Sequence, residues 1–320
     1  MAIGDAIVDV IATTSDAFVN ERGLPKGGMQ LLSAAEADEL YAAMGPAREI
    51  SGGSAANSMA GAAALGLDVA FVGQVARDQL GEIFAHDMRS LGVQFKTPPI
   101  AGPPPTGRCL ILVTPDAQRT MNTCPGASHE LSRAALDPDF ISSASVTFLE
   151  GYLWGPDRPR AAMLDAAQIA RAAGRTIAFT LSESLCLGDR RDGVMGMIDS
   201  SLVDILFGNE HEVRHLTGCD DLSQCLQALQ PKVKILVVTR GAAGAIAVED
   251  CHGVQVPAAP VERVVDTTGA GDLFAAGFIV ARCRGRELKA CLEAGAVAAA
   301  EIISHFGARP EADLRRLVAL

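Results

Sequence analysis

Short apolar runs alternate with longer helix-period stretches along most of the chain. The runs at 6–10, 69–73, 146–149, 176–180, 203–207 and 234–239 are too short for helices and read as strands. Helical patterns at 79–91, 158–173 and 210–217 follow several of them. Strands alternating with helices predict right-handed βαβ units: an α/β fold with a mainly parallel central sheet flanked by helices on both faces. Two regions break this rhythm. Residues 11–50 and 94–124 carry short alternating runs, such as 108–113 and 119–123, and the turn-rich 101–107 segment contains three consecutive prolines. Hairpins of this kind predict a small β-sheet lid over the main domain; surface loops are the alternative. The predicted division is residues 1–10, 51–93 and 125–320 for the large domain, and 11–50 and 94–124 for the lid. No repeat of fixed period is present.

Composition narrows the classes. The chain has 320 residues, 49% hydrophobic and 20% charged, which suits one large domain or two ordinary ones and excludes disorder. No apolar run reaches the roughly 18–20 residues of a membrane span; the best, 294–303, is broken by Glu301. No basic residue precedes Arg22, so no targeting peptide is read and a cytoplasmic protein is expected. Lys plus Arg number 27 against 38 Asp plus Glu, a net charge of −11. Such a surface repels a phosphate backbone, which argues against nucleic-acid and membrane partners. A small anion can still bind at a local device such as a helix N-terminus. The eight cysteines (109, 124, 186, 219, 225, 251, 283 and 291) show neither Cys-x-x-Cys pairs nor metal-ligand spacing, and read as reduced thiols.

The sharpest local signal is Asp266-Thr-Thr-Gly-Ala-Gly-Asp-Leu-Phe274, running into the small, apolar 275–280 segment. A buried helix beginning near Gly271 would present the backbone N–H groups of Gly269, Ala270 and Gly271 at its N-terminus. Unsatisfied amides and the positive dipole end then point the same way, forming an anion hole. Asp272 either caps this helix or, beside a bound phosphoryl group, takes the proton from an attacking hydroxyl. General-base help of that kind gives about 10²–10⁴-fold. No Gly-Lys-Ser/Thr follows, so the segment is not a Walker A loop.

Asp266–Asp272 with Phe274 resembles the C-terminal signature of the PfkB, or ribokinase-like, family of sugar and nucleoside kinases. Its N-terminal signature is matched by Ser51-Gly-Gly-Ser-Ala-Ala-Asn57, which runs into a small-residue helix up to Gly66. The family's Asn-x-x-Glu motif is matched by Asn209-Glu-His-Glu212, and its strand-end ATP loop by Thr239-Arg-Gly-Ala-Ala-Gly244. Four such segments in family order cover nearly the whole chain. Within the family the likeness is to adenosine kinases: Gly4-Asp-Ala-Ile-Val-Asp9 resembles their opening, and Gln30-Leu-Leu with a helix over 35–44 resembles their first lid segment.

The resemblance implies roles. Asp272 is the base, and Gly269, Ala270 and Gly271 the anion hole. Asp9 accepts from ribose hydroxyls, with Asp5, Gly53, Ser54 and Asn57 alongside, since ionised acceptors make the stronger bonds. Arg119, on the second lid hairpin, reaches the transferring phosphate on closure. Tyr152, Leu32 and Met121 line the base pocket, or else simply pack the core. Asn209, Thr239, Gly241, Gly244 and Thr268 meet ATP, and Glu212 holds Mg²⁺ through water, a metal that uses few protein ligands. Some relatives are activated by K⁺ near the Asp266–Thr268 loop, and the sequence leaves that open here.

Three departures stand out. Asp5 replaces the usual Asn, an acceptor in place of a donor and acceptor unless protonated. Ser182, in Thr180-Leu-Ser-Glu183, falls where sugar kinases carry Asp-x-Asn. Only three residues precede Gly4, implying either a clipped first strand or a misassigned start. The expected activity is ATP-dependent phosphorylation of a nucleoside 5′-hydroxyl, adenosine first, by a monomer or homodimer. A sugar kinase is the rival within the class, and a nucleotide-binding regulator without turnover the rival outside it.

Overall fold

The structure, a computed structural model, describes residues 1–182 and 191–319. Glu183 and Cys186 therefore lie outside the described residues; the seven described cysteines are free thiols. A nine-stranded sheet runs in the order His252–Val256, Ala245–Glu249, Ile235–Thr239, Ile205–Asn209, Thr176–Thr180, Val146–Glu150, Ala2–Ile3, Val69–Val72, Val93–Phe95. From Ile235–Thr239 onward every pairing is parallel, as alternation with helices requires. The first two strands form an antiparallel edge hairpin that the sequence reading does not contain. Its turn is made by Asp250 and Cys251, both at positive φ, and carries no glycine to announce it.

A second, five-stranded sheet orders Met29–Leu31, Arg119–Cys124, Gly107–Val113, Ile7–Thr13 and Arg48–Gly52. It is mixed: Ile7–Thr13 is parallel to Gly107–Val113 and antiparallel to Arg48–Gly52. Residues 7–10 and 51–52, assigned from the sequence to the large domain, are strand residues of this sheet. The chain pairs Ala2–Ile3 in the main sheet, crosses at Gly4-Asp5-Ala6, and enters the second sheet at Ile7. Period-2 geometry then sorts the side chains. Val8, Val10 and Ala12 are buried on one face, while Ile7 and Asp9 line a cleft on the other.

Three small-residue helices, Ser54–Ala64, Ala270–Cys283 and Leu288–Ile302, pack together on one face of the main sheet. Their backbones come close because side chains there are minimal: a Cβ on Gly61 would lie 2.5 Å from Leu273. This packing sets the start of Ser54–Ala64 beside the start of Ala270–Cys283. Among the described residues no helix is long and apolar enough to cross a membrane.

Candidate active site

A cleft of about 830 Å³ separates the carboxyl ends of the parallel strands from the second sheet. Asp272 faces it from the first turn of Ala270–Cys283. Ser54 Oγ donates to its Oδ1 at 2.6 Å, and Asn57 Nδ2 donates to its Oδ2 at 2.8 Å. Ser58 Oγ donates to its carbonyl at 3.0 Å. No side chain caps this helix, so the capping alternative for Asp272 gives way to a carboxylate oriented by a neighbouring helix. Burial raises its pKa, against the opposing pull of Ser54, Asn57 and Arg309. The result is an aimed carboxylate with enhanced basicity, which is what proton abstraction needs.

The helix begins at Gly269, whose φ of 79° is left-handed. Gly269, Ala270 and Gly271 all line the cleft, and a Cβ on Gly271 would meet open space. The Ala270 N–H donates to the Thr267 carbonyl at 3.2 Å. With that amide engaged, the Gly269 and Gly271 N–H groups at an uncapped helix start are the candidate anion cradle.

Asp9 lies across the cleft. Burial lifts its pKa to about 6; Arg309 and Arg119 oppose the lift, and Asp272 and Asp266 add to it. Gly52 gives it room: a Cβ there would sit 2.7 Å from its carboxylate. Gly53 has φ 91°, and a Cβ there would sit 2.2 Å from the Asp5 carbonyl oxygen. Asp5 also lines the cleft and is almost fully buried, with Oδ1 unpartnered. Glu150, wholly buried, accepts from the Asp5 and Ala55 N–H groups at 2.5 and 2.6 Å. It thus caps Ser54–Ala64 from another strand, and burial raises both carboxyls.

Arg119 donates to the Asp266 carboxylate and, at 3.1 Å, to Thr268 Oγ1, so the second sheet is clasped to the loop preceding the cradle. Asp266 also accepts from the N–H groups of Thr268 and Gly307, both at 3.0 Å.

The apolar wall corrects one expectation. Met121 and Tyr152 line the cleft, but Leu32 does not: it packs half-buried against the main core. Strand register explains this, since Met29 pairs with Met121 and Leu31 with Thr123, and all four face the cleft. Gln30 points the other way and donates to Asn122 at 2.8 Å.

Asn209, Glu212, Thr239 and Thr268 line the far end. Asn209 and Glu212 form a reciprocal capping box at the start of Glu210–Thr217. Gly241 and Gly244 lie outside the cleft wall; positive φ at both shapes the turn between antiparallel strands. A Cβ on Gly244 would sit 2.0 Å from the Val256 carbonyl oxygen. Arg309, Glu150 and His129 join the site without any signal in the sequence, because no motif surrounds them.

The pattern described as the pfkB family of carbohydrate kinases matches residues 29–314. The chain is 45% identical to adenosine kinase from Sinorhizobium meliloti, with a TM-score of 0.92 covering 98% of this chain and 96% of that one. A probable sugar kinase from Rhizobium etli CFN 42 is 42% identical, with the same TM-score and coverage. Ribokinase from Arabidopsis thaliana is 27% identical over 324 residues, 98% of this chain and 79% of its own length. Matched from the second sheet to the last helix, and folded as these kinases fold, the chain belongs to the pfkB family, phosphotransferases with hydroxyl acceptors.

Proposed function

We propose that the protein transfers the γ-phosphoryl group of ATP to the 5′-hydroxyl of a nucleoside, with adenosine the first candidate. The observation that carries this reading is the pairing, in one cleft, of Asp9 with an apolar wall of Met29, Leu31 and Met121. A carboxylate suits a vicinal diol, and the wall suits a flat base that a free sugar lacks. The 45% identity to an adenosine kinase supports it further.

Asp272 takes the hydroxyl proton as the oxygen attacks phosphorus, and the P–O bond to the departing ADP breaks. The Gly269 and Gly271 amides stabilise the charge on the transferring group. Glu212, a hard carboxylate on the cleft wall whose oxygens are held by Asn209, would hold a magnesium ion through water, with Asn209 beside the ATP phosphates. Bound with ATP, magnesium supplies neutralisation of phosphate charge. A neighbouring fold, a putative ribokinase II from E. coli, was solved with ATP and Mg²⁺.

Arg119 would exchange its Asp266 clasp for the transferring phosphate. Arg119→Ala is therefore expected to lower kcat more than it weakens binding of free nucleoside. A rise in nucleoside KM alone would mark Arg119 as a packing residue.

The relatives that are a probable sugar kinase and a ribokinase favour a second reading, with a sugar hydroxyl as acceptor. A coupled ADP-release assay across nucleosides and free sugars separates the two. Adenosine is expected to give the highest kcat/KM; a free sugar as best substrate would replace the nucleoside reading. Tight binding without turnover would point to a regulator.

A further inference from the structure

Arg309 stands in the loop after Leu288–Ile302, far along the chain from the residues it touches. One terminal nitrogen, Nη1, donates to Asn57 Oδ1. The other, Nη2, donates to the carbonyl and hydroxyl oxygens of Ser51 at 2.8 and 3.0 Å. Asn57 then donates through Nδ2 to Asp272 at 2.8 Å.

A primary amide has one accepting end and one donating end. With a guanidinium on its oxygen, Asn57 must turn its NH₂ toward Asp272. Without that partner the amide oxygen loses its anchor, and only the contact with Asp272 still holds the amide in place. Arg309 therefore fixes the far end of the amide whose near end donates to Asp272. Ser51 is the penultimate residue of the edge strand Arg48–Gly52, and its N–H donates to Asp87 at 3.0 Å, so the same guanidinium ties the second sheet to the base.

We propose that Arg309 is a positioning residue for phosphoryl transfer, holding Asn57 in the one amide orientation that donates to Asp272 and anchoring that pair to Ser51. The proposal rests on Asp272 as the base and is independent of whether the acceptor is a nucleoside or a sugar.

The charges around it set a pH consequence. Asp9, Asp87 and Asp272 face Arg309; Arg119 and Asp266 act on Asp9, and Asp272 acts on Glu150. Burial lowers the Arg309 pKa to about 10, which leaves it charged at neutral pH. Its positive charge holds Asp272 and Asp9 below where burial alone would put them. Removing that charge makes Asp272 easier to protonate, so the acid limb of kcat moves to higher pH.

The test compares Arg309→Gln, Arg309→Lys, Asn57→Ala, the Arg309→Gln/Asn57→Ala double variant and Asp272→Asn, each by kcat and acceptor KM across pH, with a thermal melt. Arg309→Gln is expected to lower kcat about tenfold or more, leave acceptor KM within about threefold, and raise the acid limb. Arg309→Lys keeps the charge, so its acid limb stays near that of the unmodified enzyme while kcat falls. The double variant should be no slower than Asn57→Ala, because both changes cut one chain of contacts. Additive losses, or an unmoved acid limb in Arg309→Gln with only a lower Tm, would overturn the proposal. Should Arg309→Gln not fold, the lysine variant and its cycle with Asn57→Ala decide the same question. If Asp272→Asn retains activity, the base reading fails and takes this proposal with it. If Asp272→Asn is inactive while the Arg309 variants match the unmodified enzyme, this proposal alone fails.

Discussion

Asp272→Asn is expected to lower kcat by about 10²–10⁴ while acceptor binding changes little. Asparagine keeps the size of the side chain and one acceptor for Ser54 or Asn57, so the cleft should retain its shape. What is lost is the group that can accept the hydroxyl proton. The neutral amide cannot substitute, and the cradle amides alone leave the attacking oxygen protonated. Rapid-quench measurement of the chemical step, alongside equilibrium binding of the acceptor, reads the two quantities separately. Retention of more than about a tenth of kcat would remove Asp272 from the role of base. The acid side of the profile adds an independent check. Burial raises the carboxyl, so activity should fall as pH drops through that raised value, where Asp272 becomes protonated.

The second large effect concerns Asp9. The unmodified enzyme should favour adenosine over 2′- or 3′-deoxyadenosine by at least about tenfold in kcat/KM, and Asp9→Ala should erase most of that preference. A deoxy analogue leaves a buried acceptor unmatched, and about 1.4 kcal/mol suffices for each tenfold step. If Asp9→Ala leaves the ribo/deoxy ratio intact, Asp9 is not the diol acceptor. Its pKa of about 6 gives a second handle. Protonation removes a lone pair from recognition, so nucleoside KM should rise as pH falls through about 6. Stability runs the other way. A carboxyl raised from 3.8 to about 6 on folding contributes most below 3.8, and that contribution is lost as pH rises through about 6. Asp9→Asn should accordingly raise Tm at neutral pH while weakening diol recognition, the signature of a group kept for function.

Most of the parallel strands with the helices that follow them, and the glycine-rich turn into Ala270–Cys283, were legible in the sequence because both are local. Hydrophobic periodicity reports which residues share a face, and Gly269-Ala-Gly-Asp272 carries its amides and its carboxylate within one helical turn. Even there, local pattern left Asp272 open between cap and base. Ser54 and Asn57 orient its carboxylate toward the cleft from 218 and 215 residues away, once the small-residue helices close on one another. The same limit separates Leu31 from Leu32. They are neighbours at the end of one short strand, and only the pairing of Leu31 with Thr123 says which faces the cleft. It also moved residues 7–10 into the second sheet, because a two-residue pairing at Ala2–Ile3 and a crossing at Gly4 are invisible to periodicity. Arg309 lies 252 residues from Asn57. Contacts of that span are created by topology, which brings distant segments together around a shared core and leaves no mark on the spacing of either.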